Sequence, residues 1–93
     1  MVIAVIAWEL EIFGAASIKE KRGVIKSLKD RLHDRFNISV AETAHHDLWQ
    51  RAELTACVVA NERAHAETVL EKADALVEGE PRARIIDSYR SFM

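Results

Sequence analysis

The apolar positions of this chain alternate between a two-residue and a 3.6-residue period, and each switch predicts an element boundary. Residues 2–13 are rich in Val, Ile, Trp and Phe and too short and β-branched for a helix, so they predict a strand. Its alternation sets Val2, Ala4, Ile6, Trp8, Leu10 and Ile12 on one side. The other side reads Ile3, Val5, Ala7, Glu9, Glu11 and Phe13, apolar early and acidic late. Gly14 breaks the strand, and Ser17 with Glu20 forms the S-x-x-E capping box that opens a helix. Ile18, Ile25, Leu28, Leu32 and Phe36 then recur at helical spacing, with Val24 widening the stripe, over residues 18–35.

A second strand is predicted over 36–43, where Phe36, Ile38 and Val40 alternate with Asn37, Ser39 and Ala41. "AHHDLWQR" (44–51) reads as a turn, and residues 52–61 as a third strand. In that strand Leu54, Ala56 and Val58 oppose Glu53, Thr55, Cys57 and Val59. Asn61 is a suitable N-cap for a second helix, with Ala66, Val69, Leu70, Ala73 and Val77 as its buried stripe. Gly79 and Pro81 end it, and residues 82–92 form the last strand. Two right-handed βαβ units joined by a hairpin predict an α+β class, the ferredoxin-like βαββαβ sandwich. Its four-stranded antiparallel sheet carries both helices on one face.

At 93 residues the chain is expected to be one domain, 1–93, with a single core. A formal net charge of −2 excludes a globally basic nucleic-acid binder and leaves only a local patch. One cysteine, Cys57, excludes an internal disulfide, and a reducing, cytoplasmic setting fits. The apolar start lacks a basic leader, and Glu9 and Glu11 interrupt it, so neither a signal peptide nor a membrane span is expected.

Chemistry is then tested by what the fold would need. Base stacking on the central strands requires aromatics there, whereas Val5, Ala7, Glu9, Glu53, Thr55 and Cys57 occupy the outward positions. No C-x-x-C pair follows the first strand, and "FGAASIKEKR" holds one glycine rather than an anion cradle. His45 and His46, adjacent on extended chain, point apart and suit a polar turn better than a shared metal. No nucleophile, base and orienting group can be assembled, so the sequence points away from an enzyme and implies no cofactor or metal. Trp49, beside Gln50 and Arg51, either stacks on a base or partner or folds back over the sheet edge with Asp47 capping the turn.

Seven of the thirteen Lys and Arg residues lie in "SIKEKRGVIKSLKDRLHDRF", residues 17–36. On the helical wheel Lys19, Arg22, Lys26, Lys29 and His33 form a stripe beside the apolar face, with Arg31 and Arg35 on its opposite flank. Residues 17–35 carry a net +4 and residues 61–80 a net −4. The stripe is therefore either an anion-binding face or one half of a charge-matched helix pair, each exposed pair worth at most about 1 kcal/mol.

"KEKR" before "SLKDRL", then "RFN" with "AE", then "DLWQRA", resembles the YlxP-like family of small bacterial proteins, domain of unknown function 503. The resemblance covers nearly the whole chain and implies a ferredoxin-like fold with no assigned activity. Family genes that neighbour those of translation factors imply work on RNA or the ribosome. Gly23 stands where the family pattern leads us to expect another basic residue, and "AHH" departs from it too. The leading expectation is a non-catalytic RNA- or ribosome-associated module using Lys19, Arg22, Lys26 and Lys29, with Trp49, Gln50 and Arg51. The alternative is a structural or regulatory domain, protein-binding or ligand-sensing, without nucleic acid. An apolar patch of Ile3, Val5, Ala7 and Val59 on the open sheet face predicts a homodimer or larger oligomer.

The strand register is open to a direct test. Val40→Asp should unfold much of the population, because a lone charge enters the core, whereas Ser39→Asp should be mild. Equal drops in melting temperature would show the register to be wrong.

Overall fold

A computed structural model describes residues 1–93. The elements are β1 (Val2–Ile12), α1 (Ile18–Arg35), β2 (Ser39–Ala44), β3 (Arg51–Ala60), α2 (Arg63–Glu78) and β4 (Ala83–Phe92). The sheet order is β2-β3-β1-β4 with every neighbour antiparallel, the ferredoxin-like arrangement that the order of elements predicts. β1 is the axis: β3 pairs along it from Val2↔Ala60 to Glu11↔Arg51, and β4 from Ala4↔Phe92 to Ile12↔Ala83.

One face of this sheet is dry. Ala4, Ile6, Trp8, Leu10 and Ile12 of β1 are buried with Ala52, Leu54, Ala56 and Val58 of β3. Leu28 and Leu32 of α1 and Leu70, Ala73 and Val77 of α2 complete the same cluster. Trp8 is fully enclosed, and its indole N–H donates to Asp74 Oδ1 on α2 at 2.8 Å, which leaves no polar atom of the ring unpaired. Val40 lies on the helix-facing side opposite Ala56, and Ser39 faces outward. Val40 is half-buried against the core at the edge strand rather than inside it, so a charge there costs less than the sequence implies.

Helix boundaries follow the local chemistry with two corrections. Ser17 Oγ accepts from the Glu20 amide at 3.1 Å, while Glu20 Oε2 accepts from the Ala16 amide at 2.7 Å, a reciprocal cap displaced by one residue. β2 begins at Ser39 rather than Phe36, because the Phe36 amide still donates to Leu32 O and closes α1. The N-cap of α2 is Glu62, not Asn61: the first helical bond runs from the Ala66 amide to Glu62 O, which puts Asn61 one residue outside. No side chain caps that end.

The turn after α2 is closed by a buried carboxylate. Glu80 accepts from Arg82 through both guanidinium and backbone, each at 2.9 Å, and also from Arg31 of α1. The Arg82 hydrogen bonds lead in holding its pKa down to about 2, against the opposing effect of burial, with Arg31 adding to them. A depressed folded-state pKa stabilises above the ordinary value of 4.5 and is lost as pH falls toward 2.

Both guanidinium partners are partly solvated, so screening trims the contribution to about 2 kcal/mol. Wild type should therefore lose about 2 kcal/mol more stability than Glu80→Gln between pH 5 and pH 2, read by denaturant titration. Parallel pH profiles would remove Glu80 from this role.

Candidate nucleic-acid interface

Helix α1 presents its two flanks to different surroundings. The flank toward α2 carries Arg31, which reaches Glu80, and Ser27, whose hydroxyl accepts from Arg82 at 3.2 Å. The other flank overhangs the edge strand β2 and bounds a groove of about 540 Å³. Arg22, Ile25, Lys26, Lys29, Asp30 and His33 line its helical wall, and Val40 and Glu42 its strand wall. Lys26 bonds Asp30 at 2.6 Å one turn along, which raises the Lys26 pKa and lowers that of Asp30. Lys19, Arg22 and Lys29 have no carboxylate within 4.0 Å. The charge-matched helix pair is thus not formed by the stripe: Arg31 is the α1 cation that pairs across, and its partner lies beyond the end of α2.

Lys21 was hidden among the seven cations, and it is only 1% exposed. Its Nζ donates to His45 O at 2.5 Å and stands 3.0 Å from Glu42 Oε2. That Glu42 oxygen is buried and accepts no hydrogen bond, so charge alone ties it to Lys21. A signal for this was present. Lys21 is spaced i+3, i+4 and i+7 from Val24, Ile25 and Leu28, inside the apolar arc of the helix.

The partner of Lys21 belongs to a constrained loop. His45 holds φ +64°, in the left-handed region that non-glycine residues adopt at a cost. Its Nε2 lies 2.7 Å from Glu9 Oε1 on β1, an oxygen that Arg51 also reaches at 2.8 Å. His46 turns away to the Glu42 carbonyl, so the two histidines do separate. The Leu48 amide closes the turn on His45 O at 3.1 Å, which leaves no capping role for Asp47. Gln50 O accepts from the Ile12 amide at 2.8 Å. Trp49, between these pinned residues, keeps 49% of its surface exposed beside a depression of about 450 Å³ shared with Leu48, Gln50 and Arg51.

The open sheet face has a different character. Ile3, Val5 and Ala7 are half-buried, and Val59 is 63% exposed. Further along, Glu9 sits directly opposite Glu53 on β3 and Asp87 on β4. Tyr89, an exposed aromatic that strand patterning on β1 and β3 did not reveal, stands beside that acidic row. Carboxylates at this density repel phosphate, so an RNA using the sheet face meets the wrong charge. Cys57 is half-buried on the same face, and His33 and His65 are exposed. No three His, Cys, Asp or Glu side chains converge as metal ligands, and no helix is long and apolar enough to cross a membrane.

Comparison with known proteins places this geometry. The chain is 34% identical over 73 residues to the uncharacterised protein YlxP of Bacillus subtilis (strain 168), a match covering 78% of this chain and 79% of that one. Among solved structures it resembles SnoaB, a cofactor-independent oxygenase from Streptomyces nogalater, with a TM-score of 0.53 over 99% of this chain and 90% of that one. At 8% identity the resemblance is one of fold and carries no activity across. Residues 3–90 match the profile of the protein family of unknown function DUF503, so the chain belongs to the DUF503 family, as its basic-helix and "DLWQRA" motifs imply.

Proposed function

We propose that the protein is a non-catalytic, cytoplasmic RNA- or ribosome-associated module whose binding surface is the β2-side flank of α1. One observation carries this reading: Arg22 and Lys29 line an open groove and, with Lys19 one turn before Arg22, have no carboxylate within 4.0 Å, while Asp30 and Glu42 at the same groove are engaged by Lys26 and Lys21. Packing explains the apolar arc of α1, and helix pairing explains Arg31. Neither explains cations collected on the remaining flank. Phosphodiesters suit it, because lysine and arginine along one line neutralise successive phosphates and release their counterions.

A second reading rests on Val59, exposed beside Ile3 on the open face. A second copy stacked there through Ile3, Val5, Ala7 and Val59 would form a dimer on the face opposite the helices. The acidic row of Glu9, Glu53 and Asp87 confines such a contact to the apolar end of the sheet.

Each reading has its own measurement. With the three free cations Lys19, Arg22 and Lys29 in contact, the slope of log affinity against log salt should be about −2 for single-stranded RNA. The combined Arg22→Glu, Lys26→Glu and Lys29→Glu variant should lose RNA and ribosome co-sedimentation while keeping its circular dichroism. Asp30→Asn, which releases Lys26, should bind more tightly. Wild type that binds no RNA at physiological salt would overturn the proposal.

For the dimer, Val5→Glu should convert a two-fold assembly to monomer in light scattering at micromolar concentration. A monomeric wild type there would remove that reading.

A further inference from the structure

Resting on the RNA reading, we infer that the ligand is RNA with unpaired bases. The α1 stripe holds its phosphates, Trp49 stacks on one base, and the buried Lys21 is the positioning residue that joins the two parts. Lys21 lies in α1 between Lys19 and Arg22, and its ammonium holds the carbonyl of His45. The loop that carries Trp49 is therefore docked at the N-terminal end of the stripe. From Lys19 to His33 the stripe runs about 21 Å, enough for several consecutive phosphates.

Display of Trp49 is the second observation. An exposed indole on a loose hairpin tip would be an ordinary surface residue. Here His45 is fixed by Lys21 and Glu9, Leu48 by the turn closure, and Gln50 by the Ile12 amide. Half of the ring still meets solvent. An exposed aromatic on a loop whose backbone is pinned on both sides of it can take a base face without further ordering of the loop. Duplex RNA keeps its base faces inside the stack, so only an unpaired base can meet the ring.

Lys21 acts through the loop and not on the phosphates, since it is enclosed and already committed to His45 O and Glu42. That separates its signature from those of Arg22 and Lys29. Loss of a phosphate contact weakens single-stranded and duplex RNA alike and flattens the salt slope. Loss of the positioning contact weakens only the base-stacked mode.

The test compares wild type, Trp49→Ala, Lys21→Met and their combination against a 12-nucleotide single-stranded RNA and a blunt 12-base-pair duplex RNA. The doublet of Lys21→Met with Glu42→Gln, which leaves no lone buried charge, serves if Lys21→Met alone fails to fold. Trp49→Ala should lower affinity for the single strand about five- to a hundredfold and leave the duplex unchanged. Lys21→Met should do the same, keep the salt slope, and add nothing further in the Trp49→Ala background.

Equal losses on both RNAs, a flattened salt slope, or additive effects would overturn the positioning role. An unchanged single-strand affinity in Trp49→Ala would overturn stacking. Acrylamide quenching of tryptophan fluorescence reads the coupling without RNA, because Trp8 is enclosed and Trp49 is the accessible ring. Lys21→Met should increase quenching, and no change would sink the coupling. If quenching responds but wild type binds neither RNA, the RNA reading fails and the loop coupling stands.

Discussion

Strand β1 sets the constraint on which the rest of the structure depends. It is hydrogen-bonded on both sides along most of its length, so its two-residue alternation assigns a face to every residue of the neighbouring ladders. Ala4, Ile6, Trp8, Leu10 and Ile12 must be covered, and two amphipathic helices on the same side cover them. A one-residue slip would carry Glu9 and Glu11 into that core and Trp8 out of it. The indole bond to Asp74 adds direction to the packing, since it holds α2 at a fixed position along β1.

Two buried charges then secure the segments that hydrophobic contact leaves loose. Glu80 draws Arg31 and Arg82 together and fastens the turn before β4 to α1. Lys21 draws in His45 O and Glu42, and fastens the β2–β3 loop to the other end of the same helix. Both sites put a long, flexible side chain to fixed use, and removing one partner would strand the other in a poorly solvated place. Helix α1 is thereby committed on its core face, on its α2 flank and at its loop contact. On its β2 flank Arg22 and Lys29 are left facing the groove without a carboxylate partner.

This division gives the molecule two electrostatically distinct surfaces. The open sheet face carries an acidic row across three strands, eased by Arg51 and His45 on Glu9 and by Thr43 on Glu53. The α1 flank carries the unpaired lysines and arginine. An anionic polymer is repelled from the first and drawn to the second, although the net charge of the chain is slightly negative. Sorting of charge by flank, and not the total, is what a partner meets.

Periodicity determined the element order and the buried face of each strand, the Ser17–Glu20 motif the capped start of α1, and the handedness of βαβ connections the sheet topology. These follow from interactions within a few residues and from a covering requirement that any arrangement of the chain must meet. It also showed that the cations of α1 are sorted into a stripe, because the helix repeat is fixed. What it left open was decided by contacts between residues far apart in the chain. Asn61 and Phe36 fell on the wrong side of their boundaries because one backbone bond chooses between adjacent residues at a helix end. Lys21 was only one of the seven cations of residues 17–36 until Glu42 and His45 O supplied a polar niche inside the apolar arc. Glu80 counted as part of an acidic helix until Arg31 and Arg82 closed on it. Whether the stripe was matched by α2 or left free could not be read from equal and opposite totals, because pairing requires atoms within about 4 Å and only the packing of α1 over the edge strand fixes which flank comes that close.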